Sequence, residues 1–360
     1  VGNSLTGVNG LRSDAISNLT ALASGVDGTA TANAGDTTNT VAAIDGSTID
    51  VGNSGSITAV TASTVSATAS SVAGAAANDA DATAIAFQEG DGILDSDITV
   101  GNDGNIIGQT TLVGTAAATT VGSTGVGVAD ATSVLDLNAR GVELTGANDF
   151  NIGDTGNVTG NAFSSGSATA QTNYGAADAG ANVNTYGIDL ATAANDITIG
   201  GAGNVSGLAV IGTLSPTGSL ANQVQVTASS VSGTSDAAGT FTSGGILGDD
   251  SDEATITAGP RDGDISGQVF AGANVVASTT GNAAGDDATA SIGTAGTASD
   301  LFGISNVDLI GGQGSVVGGN LVRGTAFGDF DATATSVAGD AEGLSNVSAF
   351  GIFSDAANPD

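Results

Sequence analysis

The side chains that could do chemistry in this sequence are almost all carboxylates. The 360 residues contain 37 Asp and Glu, four Arg and no His, Lys or Cys. Without these last three residue types the usual nucleophile–base pairs and Schiff-base chemistry are excluded. Paired carboxylates can hydrolyse glycosides, but with no Trp and only two Tyr the chain lacks the aromatic residues that line a sugar cleft. We therefore expect this protein not to be an enzyme.

Calcium binding is the chemistry that the carboxylates suit best, because Ca²⁺ takes several oxygen ligands. Two segments are dense enough in acidic residues to be considered. They are Glu89, Asp91, Asp95 and Asp97, and Asp249, Asp250, Asp252 and Glu253. Neither segment matches an EF-hand loop. Acidic loops exposed to solvent are an alternative that explains these residues at least as well.

The net charge of −33 limits the partners of the chain. Four Arg cannot neutralise many phosphates, so nucleic-acid binding is excluded as a main activity. An anionic membrane surface is disfavoured for the same reason. No stretch approaches the ~20 apolar residues that span a bilayer, so we expect no membrane span.

A recurrent phrase of the form apolar-x-apolar-Gly-x-x-Gly-polar-apolar indicates the elements that position these carboxylates. Two copies start at Ile49 and Ile98, and others centre on Ile152, Ile199, Ala258 and Ile310. The apolar pair before the first Gly fits one face of a strand. We expect the two Gly residues to form a corner with positive φ, after which the next apolar residue returns to the core.

The spacing of this phrase predicts the fold class. Its second Gly falls at positions 55, 104, 156, 203, 263 and 314, which gives steps of 49, 52, 47, 60 and 51 residues. Such a period is typical of solenoids. We predict an all-β parallel β-solenoid in a single domain, with one wide coil or two coils in each repeat. The predicted repeats are 1–48, 49–97, 98–149, 150–196, 197–255, 256–307 and 308–360.

Two further columns follow from stacking the repeats. The residues after the second Gly are Ser56, Asn105, Asn157, Asn204, Asp264 and Ser315. These could form a hydrogen-bonded polar ladder, although Asn and Ser also occur there simply because they favour turns. A second phrase precedes each corner, at Gly92-Ile93, Gly141-Val142, Gly187-Ile188, Gly245-Ile246, Gly303-Ile304 and Gly351-Ile352.

One segment follows a different period. Leu11, Ala15, Ile16, Leu19, Leu22 and Ala23 fall at helical spacing, with Ser13 or Asn9 as a cap and Gly25 as a stop. This predicts a short N-terminal amphipathic helix that covers the end of the solenoid or decorates a subunit junction.

The two ends of the chain break within the recurrent phrase. Residues 1–4 repeat residues 51–54, and residues 357–360 resemble the lead-in at 194–196. A repeat that ends where it begins suits stacking of identical subunits from head to tail. The residues predicted to form this interface are Val1, Gly2, Val8, Phe350, Ile352, Phe353 and Pro359.

Together, the corner phrase and the biased composition resemble bacterial secreted β-solenoid surface proteins of the filament, surface-layer and adhesin types. The missing Met, Trp, His, Cys and Lys fit an abundant, oxidation-resistant extracellular product, although low-complexity drift gives a similar composition. The resemblance implies a structural subunit of an extracellular filament or sheath at the cell surface, with itself as partner. A monomeric adhesin or ligand-binding passenger domain is the alternative.

Overall fold

The protein is built from β-strands stacked into parallel sheets. The structure, a computed structural model, describes residues 4–8, 10–36, 40–52, 54–74, 79–122, 128–146, 148–190, 195–214, 220–248, 254–258, 263–293, 298–311 and 321–353. These residues form strands, turns and irregular segments and include no helix. The prediction of an all-β fold is therefore confirmed, and the parallel stacking is that of a β-solenoid.

The strands follow one another along the whole chain. The first fourteen are β1 (Ser4–Val8), β2 (Leu11–Val26), β3 (Ala30–Ala34), β4 (Thr40–Asp45), β5 (Thr48–Val51), β6 (Ile57–Val72), β7 (Ala82–Leu94), β8 (Asp97–Val100), β9 (Gly104–Val121), β10 (Ala131–Glu143), β11 (Asp149–Ile152), β12 (Gly156–Thr172), β13 (Ala177–Leu190) and β14 (Asp196–Ile199). The others are β15 (Val205–Ile211), β16 (Thr213–Leu214), β17 (Leu220–Asn222), β18 (Val224–Ser230), β19 (Ser235–Gly248), β20 (Thr255–Ala258), β21 (Ile265–Thr279), β22 (Ala288–Ile292), β23 (Ser299–Ser305), β24 (Asp308–Gly311), β25 (Val322–Thr335), β26 (Ala341–Ser345) and β27 (Val347–Phe353).

Three sheets form the sides of the stack. Sheet 1 contains the short strands in the order β1-β5-β8-β11-β14-β20-β24. Sheet 2 runs from β2 through β6, β9, β12, β15 with β18, and β21 to β25. Sheet 3 runs from β3 with β4 through β7, β10, β13 and β19 to β22 with β23, and ends at β26 with β27.

The register shows how the chain advances. Ile49 pairs with Ile98 in sheet 1, Ile57 with Ile106 in sheet 2, and Ala82 with Ala131 in sheet 3. The offset along the chain is the same in all three sheets, and it equals the first step of the recurrent phrase, from Gly55 to Gly104. One repeat therefore makes one wide turn that contributes to all three sheets.

The predicted N-terminal helix is wrong, because residues 11–26 form strand β2. This strand pairs in parallel with β6 along its whole length, from Leu11 opposite Ile57 to Val26 opposite Val72. Positions 11, 15, 19 and 23 share a face in a strand as well as in a helix, so their spacing does not separate the two. Ile16 and Leu22, which favoured the helix, point outward and are 75% and 76% exposed.

The corner glycines are required by close stacking and not by positive φ. A Cβ on Gly104, Gly156 or Gly203 would lie 1.7 Å from the carbonyl oxygen of the equivalent glycine one turn earlier. None of these three is among the glycines with positive φ. The expectation of left-handed corners is therefore wrong, and the reason for glycine is the neighbouring backbone.

A second set of glycines divides the interior into two cores. Gly141 and Gly187 of sheet 3 face sheet 2, where a Cβ would lie 2.3 Å from the backbone nitrogen of Asn161 and 2.4 Å from that of Leu208. On one side of this glycine seam lies an Ala-rich core between the long strands of sheets 2 and 3. On the other lies an Ile- and Val-rich core enclosed with sheet 1. The recurrent Gly-Ile phrase marks this seam.

The one long step of the period is an insertion. The β16–β17 hairpin is antiparallel and interrupts sheet 2 between β15 and β18, both of which pair with β12. It accounts for the longest step of the recurrent phrase, which separates Gly203 from Gly263.

Candidate functional site

Two edges of the stack lack a paired neighbour on their outer side among the described residues. At the N-terminal edge β2 pairs only with β6, and β3 and β4 pair only with β7. At the C-terminal edge β25, β26 and β27 pair with β21, β22 and β23 respectively. An unpaired strand presents free N–H and C=O groups that can template another chain.

Both edges also leave the hydrophobic interior partly uncovered. Leu19, Ala21 and Ala23 of β2 are only partly buried although they pack against the Ala-rich core. At the opposite edge, Phe330 and Ala332 are likewise only partly buried and pack against the same core. Among the described residues, the interior columns that are closed in the middle of the stack are therefore open at its two ends.

Three of the residues predicted for the interface, Phe350, Ile352 and Phe353, lie in β27 at the C-terminal edge. Phe350 stacks on Phe302 with ring centroids 5.7 Å apart, and Phe353 lies 5.1 Å from Phe350. Ile352 is 57% exposed. Val8 lies in β1, opposite Val51 of β5. Val1, Gly2 and Pro359 lie outside the described residues.

Part of the first predicted calcium segment belongs to a charge cluster around Arg140. The guanidinium Nη1 lies 2.8 Å from a Glu89 carboxylate oxygen, 3.1 Å from Glu143 and 3.6 Å from Asp91. Its Nε lies 3.1 Å from Asp189. The Arg140 side chain is 13% exposed, and that of Asp91 is fully buried. Four carboxylates thus share one cation on the outer side of sheet 3.

Burial, together with the excess of negative charge, raises the pKa of several groups in this cluster. Burial, followed by the nearby Glu143 carboxylate, raises the pKa of Asp91 well above its ordinary range. Burial also raises the pKa of Glu143 to about 7, against the opposing effect of Arg140. Burial and Asp189 raise the pKa of Tyr186 to about 12. The cluster therefore retains a proton up to near-neutral pH.

The other two residues of that segment bond to the next turn of the solenoid. The Thr145 backbone nitrogen and hydroxyl both donate to Asp95, and the Asp149 backbone nitrogen donates to Asp97 over 3.0 Å. Among the described residues no group of three or more acidic side chains is arranged to hold a metal ion. Asp249, Asp250, Asp252 and Glu253 lie outside the described residues. The calcium prediction therefore rests on the sequence alone.

The predicted polar ladder is confirmed for the described part of its column. The side-chain oxygen of Asn105 accepts a hydrogen bond from the Asn157 backbone nitrogen over 3.1 Å. In the same way, the side-chain oxygen of Asn157 accepts from the Asn204 backbone nitrogen over 3.0 Å, and that of Asn204 accepts from the Asp264 backbone nitrogen over 2.8 Å. Asp264 accepts from Leu321. Register thus gives the last position to Leu321, 57 residues after Asp264, and not to Ser315, which lies outside the described residues.

A groove lies beside this ladder on the outer face of sheet 2. It encloses about 610 Å³ and runs along the stacking direction. Amide, hydroxyl and charged groups line it, among them Asn157, Thr159, Gln268 and Arg323. The groove offers several turns of hydrogen-bonding groups to an extended polar ligand.

Comparisons with protein-family models, with curated proteins and with solved structures find no match for this chain. No helix in the described ranges has the length and apolar character that crossing a membrane requires.

Sequence reasoning missed three members of the charge cluster, namely Arg140, Glu143 and Asp189. The signal was present in the Gly-Ile phrase. Aligning Gly92 with Gly141 places Arg140 directly opposite Asp91, as the register shows. Reading the residues around each glycine as columns would have found the pair.

Proposed function

We propose that this chain is a structural subunit of an extracellular bacterial filament or surface sheath, which assembles head to tail through its two open edges. On this proposal each of seven repeats of about 50 residues adds one turn. The observation that carries the proposal is the pair of unpaired edges with their partly uncovered core.

The charge and composition support this proposal. A surface with a net charge of −33 keeps monomers apart at low ionic strength, and salt screens the repulsion. The absence of Lys, His, Cys and Met suits a durable product outside the cell.

Electron microscopy and sedimentation of the purified chain, with and without calcium and over a range of salt, test the proposal. Ala21 lies on the inward face of β2 at the open edge, whereas Thr20 points outward. Ala21→Arg should abolish assembly because the charged side chain is too costly to bury in the core and would extend from the open edge into the space where the next subunit packs. Thr20→Arg is the matched control and should assemble normally. A parent chain that stays monomeric at high concentration in calcium-containing salt contradicts the proposal.

A second candidate function is a monomeric adhesin or ligand-binding passenger, which the groove on sheet 2 favours. Binding of extended polysaccharides by the parent chain, lost in a Gln268→Ala variant, would support it. Helical order in the microscope would instead favour the filament.

A further inference from the structure

The interior columns of the solenoid run without a break from one open edge to the other. In sheet 2 one such column consists of Leu11, Ile57, Ile106, Val158, Val205, Ile265 and Val322. In sheet 3 another consists of Ile44, Ile93, Val142, Ile188, Ile246, Ile304 and Ile352. The first and last members of each column are therefore alike in size and polarity.

Continuing the sheet 2 columns past β25 matches them to β2 of a second copy. With Val322 opposite Leu11, the inward residues of β25 each meet a counterpart of compatible size. The pairs are Val322 with Leu11, Gly324 with Ser13, Ala326 with Ala15, Gly328 with Ser17, Phe330 with Leu19, Ala332 with Ala21 and Ala334 with Ala23.

Other registers in sheet 2 are disfavoured. A shift of one residue would turn Arg12 and Asp14 of the second copy toward the core. A shift of two residues would place the Phe330 ring opposite Ser17 or Ala21, and Leu19 opposite Gly328 or Ala332. Each of these arrangements loses the contact between the two largest inward side chains.

Sheet 3 gives the same register independently. Continuing its columns places Ala341 opposite Ala30 and Ile352 opposite Ile44 of the second copy. Ile44 is buried within its own molecule, whereas Ile352 is 57% exposed and would be covered.

A corner hydrogen bond points the same way. Asp287 accepts a hydrogen bond from the backbone nitrogen of Asp340, one turn later, over 2.8 Å. Asp340 occupies this position in the last described turn, so its carboxylate is placed to accept from the next backbone nitrogen of the column. In the continued register that nitrogen belongs to Thr29 of the second copy.

We propose that β25, β26 and β27 of one copy pair in parallel with β2, β3 and β4 of the next, with Val322 opposite Leu11, Ala341 opposite Ala30 and Ile352 opposite Ile44. On the outer face, Phe327, which is 49% exposed, then packs against Ile16. This inference rests on the proposed head-to-tail assembly and adds its register.

Engineered disulfides test the register, because the chain contains no Cys of its own. Thr333 of β25 and Leu22 of β2 both point outward and are opposite each other in the proposed register. Paired strands lie about 4.8 Å apart, within the 4.4–6.8 Å between Cα atoms that a disulfide accepts. A chain carrying T333C and L22C should form disulfide-linked dimers and longer ladders on a non-reducing gel.

Matched controls move one cysteine by two residues on the same face. T333C with T20C, or with S24C, separates the Cα atoms by about 8 Å in the proposed register, beyond disulfide reach. These chains should lose the ladder. S70C with T119C joins β6 to β9 within one molecule and checks that such outward pairs oxidise.

The outcomes separate the register from the assembly. If filaments form but a control pair links as well as T333C with L22C, the register is wrong and the filament proposal stands. If S70C with T119C oxidises while none of the intermolecular pairs links and no filament forms, both are wrong.

Discussion

We predict that the charge cluster around Arg140 destabilises the folded chain as pH rises, and that Glu143→Gln isolates this effect. The pKa of Glu143 is raised from 4.5 to about 7 in the folded state. Between these values the folded chain holds a proton that the unfolded chain has lost, so stability falls as pH increases through this window. Each pKa unit corresponds to about 1.4 kcal/mol, which gives about 3 kcal/mol across the window.

Gln keeps the size and one acceptor oxygen of Glu143 but has no proton to lose. The variant should match the parent chain near pH 4.5 and exceed it by about 3 kcal/mol in unfolding free energy above pH 7. Urea unfolding at several pH values measures this difference. Glu342→Gln is the control, since Glu342 is exposed and takes part in none of the ion pairs among the described residues.

Two results would refute this reasoning. A difference between variant and parent that is flat with pH would mean that Glu143 is not protonated in the folded state. A parent chain that gains on the variant as pH rises would mean that pairing with Arg140 outweighs burial.

Three further substitutions test the charge cluster, the polar ladder and the glycine seam, each measured as a change in unfolding free energy. Arg140→Met leaves four carboxylates without their cation and should cost about 3–5 kcal/mol at neutral pH, and less in acid. Asn157→Ala removes one rung of the ladder and leaves the exposed Asn204 backbone N–H to water, at a cost of about 0.5–1.5 kcal/mol, whereas Ser165→Ala in the same strand should be nearly neutral; equal effects would contradict the ladder. Gly187→Ala forces sheets 2 and 3 apart at the seam and should cost about 3 kcal/mol or more. Gly52→Ala, where a Cβ meets nothing within 4 Å, should be tolerated; a tolerated Gly187→Ala would argue against the seam.

The stacking direction of the fold could be predicted from sequence because one period governs it. The step of the corner phrase from Gly55 to Gly104 equals the offset between the paired residues Ile57 and Ile106 in the structure. The polar ladder could be predicted from the same period, because residues at equal offsets in stacked parallel turns lie next to each other. The prediction fails where the chain departs from this period. Counting from Gly314 predicts Ser315 as the last rung, whereas the structure places Leu321 there.

Other features depend on contacts that the period does not contain. The spacing from Leu11 to Ala23 predicts a helix although spacing by four residues suits a strand as well, and only pairing with β6 decides between them. The need for glycine at Gly104 comes from the carbonyl of the turn below, which a single repeat cannot show. The acidic character of Glu89 and Asp91 predicts calcium ligands, but in the structure both carboxylates pair with Arg140, which lies in the next turn.

The central claim is that the open edges join identical copies in continuous register. Seven stacked strands in sheet 1 spaced by about 4.8 Å predict a subunit rise of about 34 Å along a filament. Helical reconstruction by cryo-electron microscopy measures this rise directly. That rise, with unbroken parallel strands across the junction, is the predicted result. Isolated monomers, two-fold symmetric pairs, or a rise that breaks the strand spacing would contradict it.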